Sequence, residues 1–418
     1  MSPPPKECVR GSEAHPRSRR HIQDTLLNRL TIEVFGSQEA TTTVAYLVIP
    51  GFGSRYITTG PRRICQLVTL AAMGSINAPR GSMEGVDWGH DTSGLYEVAT
   101  SPLEALEAIH ARVTQPPVWD DAMRPTLDAW ISSVGPHTVV MNRAHRALSD
   151  DNRGLSYAWP MGGPGEALPW PSTDTLRHFH HRIGPRYCRL IVVTPSAPET
   201  VLQTAKTVFG SWAPAHQVPP SAWVPTPVSR RNFGFNVPWG HSPQDQPGVW
   251  VGLMLPMEGM SSPASHAGNF LTRLPLRHRA AFWPHPEVSV GILWGDGTGA
   301  NTRGGVDLVE SLLDIKAQLL FGKMPGMNAA RAQLIADNAA LERNALGMAR
   351  YLASRTLYGW HVPSMRVYER RGSTEMALDL RQLIVGAKGR ASRILIRGQE
   401  CARGACHELL RQYEREHG

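Results

Sequence analysis

The sequence predicts an α+β protein of two related domains, and three observations carry that prediction. Short alternating or β-branched runs interleave with helical stripes along the chain. A low-charge stretch from Ala213 to Val228 holds Pro214, Pro219, Pro220, Pro225 and Pro227, which excludes regular helix and favours an extended linker. A helix-then-strand unit at 173–193 recurs at 374–396, roughly 200 residues later, as a weak internal repeat. The expected organisation is a disordered tail (1–22), a first domain (23–212), a proline-rich linker (213–229), a second domain (230–400) and a helical C-terminal tail (401–418).

In the first half, Leu30–Phe35 alternates as a strand does, Gly36–Gln38 reads as a turn, and Thr43–Ile49 is β-branched and fits a partner strand. Pro61 starts a helix through Met73, with Ile64, Leu67, Val68 and Ala71 on one face and Gly74 as its stop. A second helix is expected from Pro102 to about Val113, and a third after Pro117. Thr173 starts a helix through about His181, and Arg189–Val193 is a short apolar strand. Ser196-Ala-Pro-Glu199 reads as a capping box, with Ser196 as the cap and Glu199 reaching back. The helix that follows carries Val201, Leu202, Ala205, Val208 and Phe209 on one face and closes at Gly210.

In the second half, Gly248–Met254 and Val288–Trp294 read as strands. Leu308, Leu312, Ile315 and Leu319 form a helical stripe. An Ala-rich helical stretch covers Asn328 to about Leu357, broken near Gly347. Thr374 starts another helix, and Ser392–Ile396 is a strand.

Composition narrows the function classes. Of 418 residues, 41% are apolar and 19% charged, ordinary globular usage that argues against a wholly disordered or fibrous chain. No run of ~18 apolar residues suggests a membrane span. The N-terminus has prolines and charges of both signs but no apolar core, so it is not a secretory signal, and a cytoplasmic protein is expected. Five unpaired cysteines argue against a disulfide framework. The formal charge is +8, but the arginines are scattered rather than striped, so no nucleic-acid partner is expected.

The common chemical motifs fail. Gly295-Asp-Gly297-Thr-Gly299 lacks both a Lys-Ser/Thr ending and a dinucleotide-binding spacing, and reads as a turn. No Gly-x-Ser-x-Gly elbow occurs. Cys401, Cys406 and His407 read as incidental in a helical tail. His178, His180 and His181 form the densest histidine cluster. His178 and His181 stand three apart on a helix, yet no carboxylate is near, and a polar helix face is the preferred reading.

One resemblance runs across these segments. Ser172–His181, then Arg189–Val201, then Val208–Trp212 resembles the helix ending in Phe-His, apolar strand and Asp-Pro-Glu helix of the pitrilysin/insulinase family of zinc peptidases. Met73-Gly-Ser-Ile-Asn-Ala78 resembles the family's Leu-Gly-Gly-Ser-Ile-Asn-Ala, and 328–357 and 374–396 resemble its closing segments. The resemblance implies two α+β domains, each a mostly antiparallel sheet packed against helices, as in one half of a pitrilysin-like clamshell. In that family His-x-x-Glu-His supplies two zinc ligands and a general base, and a downstream Glu supplies a third ligand. This chain contains no His-x-x-Glu-His. Either the zinc helix is deleted, the preferred reading, or it is the 62–73 helix, with Gln66, Thr69 and Leu70 at the His, Glu and His positions. The stretch after Trp119 likewise lacks the family's Glu-Arg-Glu pattern.

The resemblance therefore implies a chain with no catalytic residue and no metal ligand of its own. It implies a non-catalytic subunit of a heterodimeric peptidase, with zinc in a homologous partner and a peptide enclosed between them. A standalone scaffold is the alternative. In the family the zinc-free half often supplies an Arg and a Tyr to the substrate. Leu276–Trp283 is the corresponding stretch, offering Arg277 and Arg279 as substrate-binding candidates without the Tyr.

Overall fold

The computed structural model describes residues 21–53, 60–88, 92–133, 170–213, 235–236, 248–260, 262–283, 288–298, 302–322, 324–358, 366–387 and 392–397, with residues 405, 408–409, 411–412 and 415. Most of the proline-rich stretch, together with Gly299, Cys401, Cys406 and His407, lies outside them.

The first half contains β1 (His21–Thr25), β2 (Thr31–Gly36), β3 (Thr43–Pro50), α1 (Gly60–Ala72), β4 (Val86–Trp88), β5 (Thr92–Ala99), α2 (Pro102–Thr114), α3 (Met123–Ser133), α4 (Thr173–His180), β6 (Arg189–Thr194) and α5 (Pro198–Phe209). Its six strands form one sheet in the order β1-β2-β6-β3-β5-β4. Only β2 and β6 run parallel. The second half contains β7 (Phe235–Asn236), β8 (Gly248–Glu258), α6 (Ala267–Leu271), β9 (Arg279–Trp283), β10 (Val288–Thr298), α7 (Thr302–Phe321), α8 (Met327–Arg343), α9 (Ala345–Tyr358), α10 (Val367–Arg370), α11 (Ser373–Val385) and β11 (Arg393–Arg397). Its sheet runs β7-β11-β8-β10-β9, antiparallel except for β7 and β11. The protein is α+β with two mostly antiparallel sheets.

Strand alternation explains how the first sheet is buried on both faces. Ala45, Leu47 and Ile49 of β3 and Leu190 and Val192 of β6 point into the core made with α1, α2, α4 and α5. Val44, Tyr46, Val48, Ile191 and Val193 point the other way, where Met348, Ala349, Leu352 and Ala353 of α9 cover them. A helix from the second half of the chain thus completes the first sheet. Two polar contacts fix it. Arg350 makes paired 2.7 Å bonds to the Asp87 carboxylate, and its guanidinium lies 5.1 Å from the Tyr96 ring centre. Tyr46 can lie flat there only because residue 94 is glycine: a Cβ would sit 2.1 Å from the Tyr46 hydroxyl.

Four local expectations are corrected. β3 does not pair with β2, because β6 lies between them. The helix α5 is preceded by Ala197, which makes no side-chain cap bond; Ser196 stands one residue too early and its N–H donates to Thr194 Oγ1. Gly295-Asp-Gly297 is not a turn: β10 continues to Thr298, pairing with Gly248–Val251 of β8. The Ala-rich stretch breaks at Asn344, whose side-chain oxygen accepts from the Gly347 N–H. β1 also takes in the last two residues of the expected N-terminal tail. Among the described residues no helix is long and apolar enough to cross a membrane.

Candidate functional site

Two features of the sequence direct attention to α1 and to the stretch around Arg277. Every residue of α1 from Ile64 to Ala71 is buried. Over that span the helix presents no open face, whereas a catalytic metal needs an open coordination position. The side chains at the three questioned positions are already committed. Gln66 Nε2 donates to Gly51 O at 3.1 Å, Thr69 Oγ1 donates to Cys65 O at 2.7 Å, and Leu70 is wholly buried apolar packing. Burial pushes the Cys65 thiol up to about 11, so it stays protonated and is a poor ligand. Residues 51–59 leave only a short connection between β3 and α1. Acids ahead of and within α3 are engaged on the surface: Asp120 accepts from the Ala122 N–H and faces Arg80, and Asp128 faces Arg124. These residues do not fit zinc.

Beyond α1, the segment Met73–Ala78 forms tight turns and lines a cleft of about 250 Å³ with Pro117 and Val118. Its shape is held by a side chain that the sequence reading did not single out. Arg112 of α2 is buried and donates to Met73 O, to Tyr96 O (3.0 Å), to Gly85 O (2.9 Å) and to Glu97 Oε1 (2.8 Å). Ser75 Oγ donates to the other Glu97 oxygen at 3.2 Å. The signal was present: Arg112 falls on the apolar face of α2 beside Ile109 and Val113.

The histidine cluster divides as helix geometry dictates. His178 and His181 are exposed, while His180 turns inward. Its ring meets Trp119 edge-on at 6.4 Å, and neither its Nε2 nor the Trp119 N–H has a hydrogen-bond partner. Burial, with the neighbouring His181 charge, pulls His180 down to about 4. The unfolded chain therefore takes up this proton first, at the ordinary 6.5, and stability falls as pH drops from 6.5 towards 4. At 1.36 kcal/mol per pH unit the loss is about 3 kcal/mol. His180→Leu should abolish that part of the acid sensitivity. Urea titrations of both proteins at pH 7 and pH 4 check this, and parallel losses would refute it.

Arg279 opens β9, the edge strand of the second sheet among the described residues, and Arg277 lies two residues before it; both are exposed. Between them His278 turns inward, its Nε2 2.8 Å from Ser311 Oγ of α7. Along β9 the alternation continues, with Ala280 and Phe282 packed on the second core. Arg279 pairs with Trp294 on the opposite face. Only Arg279 of the two belongs to the strand, and no tyrosine stands in it.

No family model matches the sequence, and no curated protein matches it. Solved structures do match. A protease from Helicobacter pylori is 13% identical with a TM-score of 0.72, covering 91% of this chain and 100% of that one. A peptidase M16 inactive domain from Pseudomonas fluorescens is 12% identical with a TM-score of 0.66, covering 91% and 98%. The chain has the fold of one half of an M16 peptidase. The periplasmic protease PqqL from Escherichia coli fits that reading at 14% identity and a TM-score of 0.64, since 96% of this chain matches only 50% of that one.

Proposed function

We propose that this chain is the zinc-free half of a two-subunit cytoplasmic peptidase. It closes a peptide-binding chamber around a homologous, zinc-bearing partner. One observation carries the reading: on an M16-type half, α1 is enclosed, and Gln66, Thr69 and Leu70 are spent on packing and backbone bonds. None of these three side chains can take a proton from a nucleophilic water. The remaining roles are to shape the chamber and hold the peptide. Arg277 and Arg279, exposed beside a free strand edge, suit the second role: the edge can pair with an extended peptide, and the guanidiniums can donate to its carbonyls or acids.

The test uses the purified chain and a zinc-bearing homologue encoded beside it. Peptide hydrolysis should appear only when the two are mixed, and the complex should bury at least the ~1,200 Å² of a stable interface. Changing the partner's zinc ligands should abolish turnover. Arg277→Ala or Arg279→Ala should raise KM about tenfold, the loss of ~1.4 kcal/mol of charged hydrogen bonding. Chelator-sensitive hydrolysis by this chain alone would overturn the proposal. A homodimer that ignores the homologue would favour a scaffold.

A further inference from the structure

The second sheet ends in a strand whose outward side has no partner among the described residues. That strand, β9, pairs with β10 on its other side. In an antiparallel ladder, alternate N–H and C=O groups of an edge strand point away from its neighbour, where a further strand can pair with them. Side chains stand roughly perpendicular to a sheet. Those of β9 therefore meet the side chains of an added strand rather than its backbone. Ala280 and Phe282 face the second core, so Arg279 and Ala281 lie on the other face.

The start of this strand is pinned. His278 Nε2 lies 2.8 Å from Ser311 Oγ of α7, and the ring lies over Gly295 of β10, where a Cβ would sit 2.7 Å from Nδ1. With His278 turned in, alternation turns Arg279 out. Arg279 stands opposite Trp294 in the ladder and is exposed. Among the described residues neither Arg279 nor Arg277 makes an ion pair. Burial and the Arg277 charge hold His278 below its ordinary pKa. At pH 7 its ring is therefore neutral, and the positive charge at this end of β9 is that of the two arginines.

We propose that the peptide received at β9 carries an aspartate or glutamate opposite Arg279. This choice of substrate class rests on the function proposed above. An opposite-charge pair directly across two antiparallel strands is favourable, and a like-charge pair there is unfavourable. A lysine or arginine at that peptide position would meet Arg279, with Arg277 two residues away in the chain. The formal charge of +8 works in the same direction, drawing acidic peptides towards the protein. A charge on an edge strand also keeps unrelated strands away. Recognition differs from such protection in one respect: the preference for a peptide residue follows the sign of the charge at position 279.

The experiment mixes the full chain with the zinc-bearing homologue and supplies a library of short peptides randomised at every position. Mass spectrometry of the products aligns the library on the cleaved bond. Asp and Glu should be enriched at one position, a fixed distance from that bond. Single peptides with Glu or Gln there should differ about threefold in kcat/KM, because glutamine keeps a hydrogen bond and loses the charge. Arg279→Glu should turn that position over to Lys and Arg and leave the others as they were, and the milder Arg279→Gln should erase the preference. Hydrolysis with no acidic preference, or with one that both variants leave unchanged, overturns this inference and spares the proposed function. A mixture that hydrolyses no peptide overturns both.

Discussion

Ala349→Asp is expected to unfold most of the protein at 25 °C. Ala349 is 0% exposed and sits where α9 meets Val44, Tyr46, Val48, Ile191 and Val193. A carboxylate there has no cation facing it, since Arg350 points to Asp87 at the rim of the contact. Burying an unpaired charge costs at least ~4 kcal/mol, against a typical total stability of 5–15 kcal/mol. The damage cannot stay local. Freed of α9, the apolar face of the first sheet meets water, at about 25 cal/mol per Å² exposed. Residues 21–213 expressed without α9 should therefore aggregate. Urea unfolding followed by tryptophan fluorescence measures the effect, with Ala349→Ser as a milder control. A loss under ~0.5 kcal/mol for the aspartate would mean that α9 does not cover this sheet in solution.

That contact also marks the limit of what the sequence discloses. Elements whose residues interact with near neighbours were legible. The stripe of α2, the run from α4 through β6 to α5, and the helix ahead of β11 were all placed within about two residues. Pairings made over long distances were not. Nothing in Thr43–Ile49 says that its neighbour is a strand about 145 residues later rather than the one just before it. The apolar residues of α9 read as a core stripe, but not as a stripe for the other half's sheet. Gly295 and Gly297 suggested a turn because glycine weakens strands. The ladder with Gly248–Val251 overrides that local preference.

The candidate site was legible in the same uneven way. The missing His-x-x-Glu-His is visible in one pass; the burial of every residue from Ile64 to Ala71 is not, because it depends on elements distant in the chain. Arg277 and Arg279 came from the resemblance rather than from any local pattern, and both side chains are exposed. Arg112 was overlooked although a charge within an apolar stripe is itself a signal that a buried partner exists.

Arg112→Met should cost 3–5 kcal/mol, the effect expected of ~one broken buried ion pair. Arg112 and Glu97 have side-chain exposures of only 2% and 6%. Burial pulls Arg112 down to about 10, which leaves it charged at neutral pH and matched to Glu97. Methionine fills much of the same volume, so the loss is electrostatic rather than a cavity. It leaves the Glu97 carboxylate with Ser75 Oγ and takes the guanidinium donor from the carbonyls of Met73, Gly85 and Tyr96, of which Gly85 O keeps the Tyr96 N–H. The segment from Met73 to Gly85 should loosen most, because three of its contacts end on this one guanidinium or its partner. Amide hydrogen exchange of Ser75 and Val86, whose N–H groups bond within the segment, reads that loosening directly. The double variant Arg112→Met with Glu97→Leu separates the two components. Removing the stranded carboxylate should restore at least half of the lost stability while leaving the segment mobile, since the guanidinium that tied Met73 and Gly85 to α2 is still missing. If the double variant is no more stable than Arg112→Met, Glu97 is not the buried charge that Arg112 neutralises, and the ion-pair account fails.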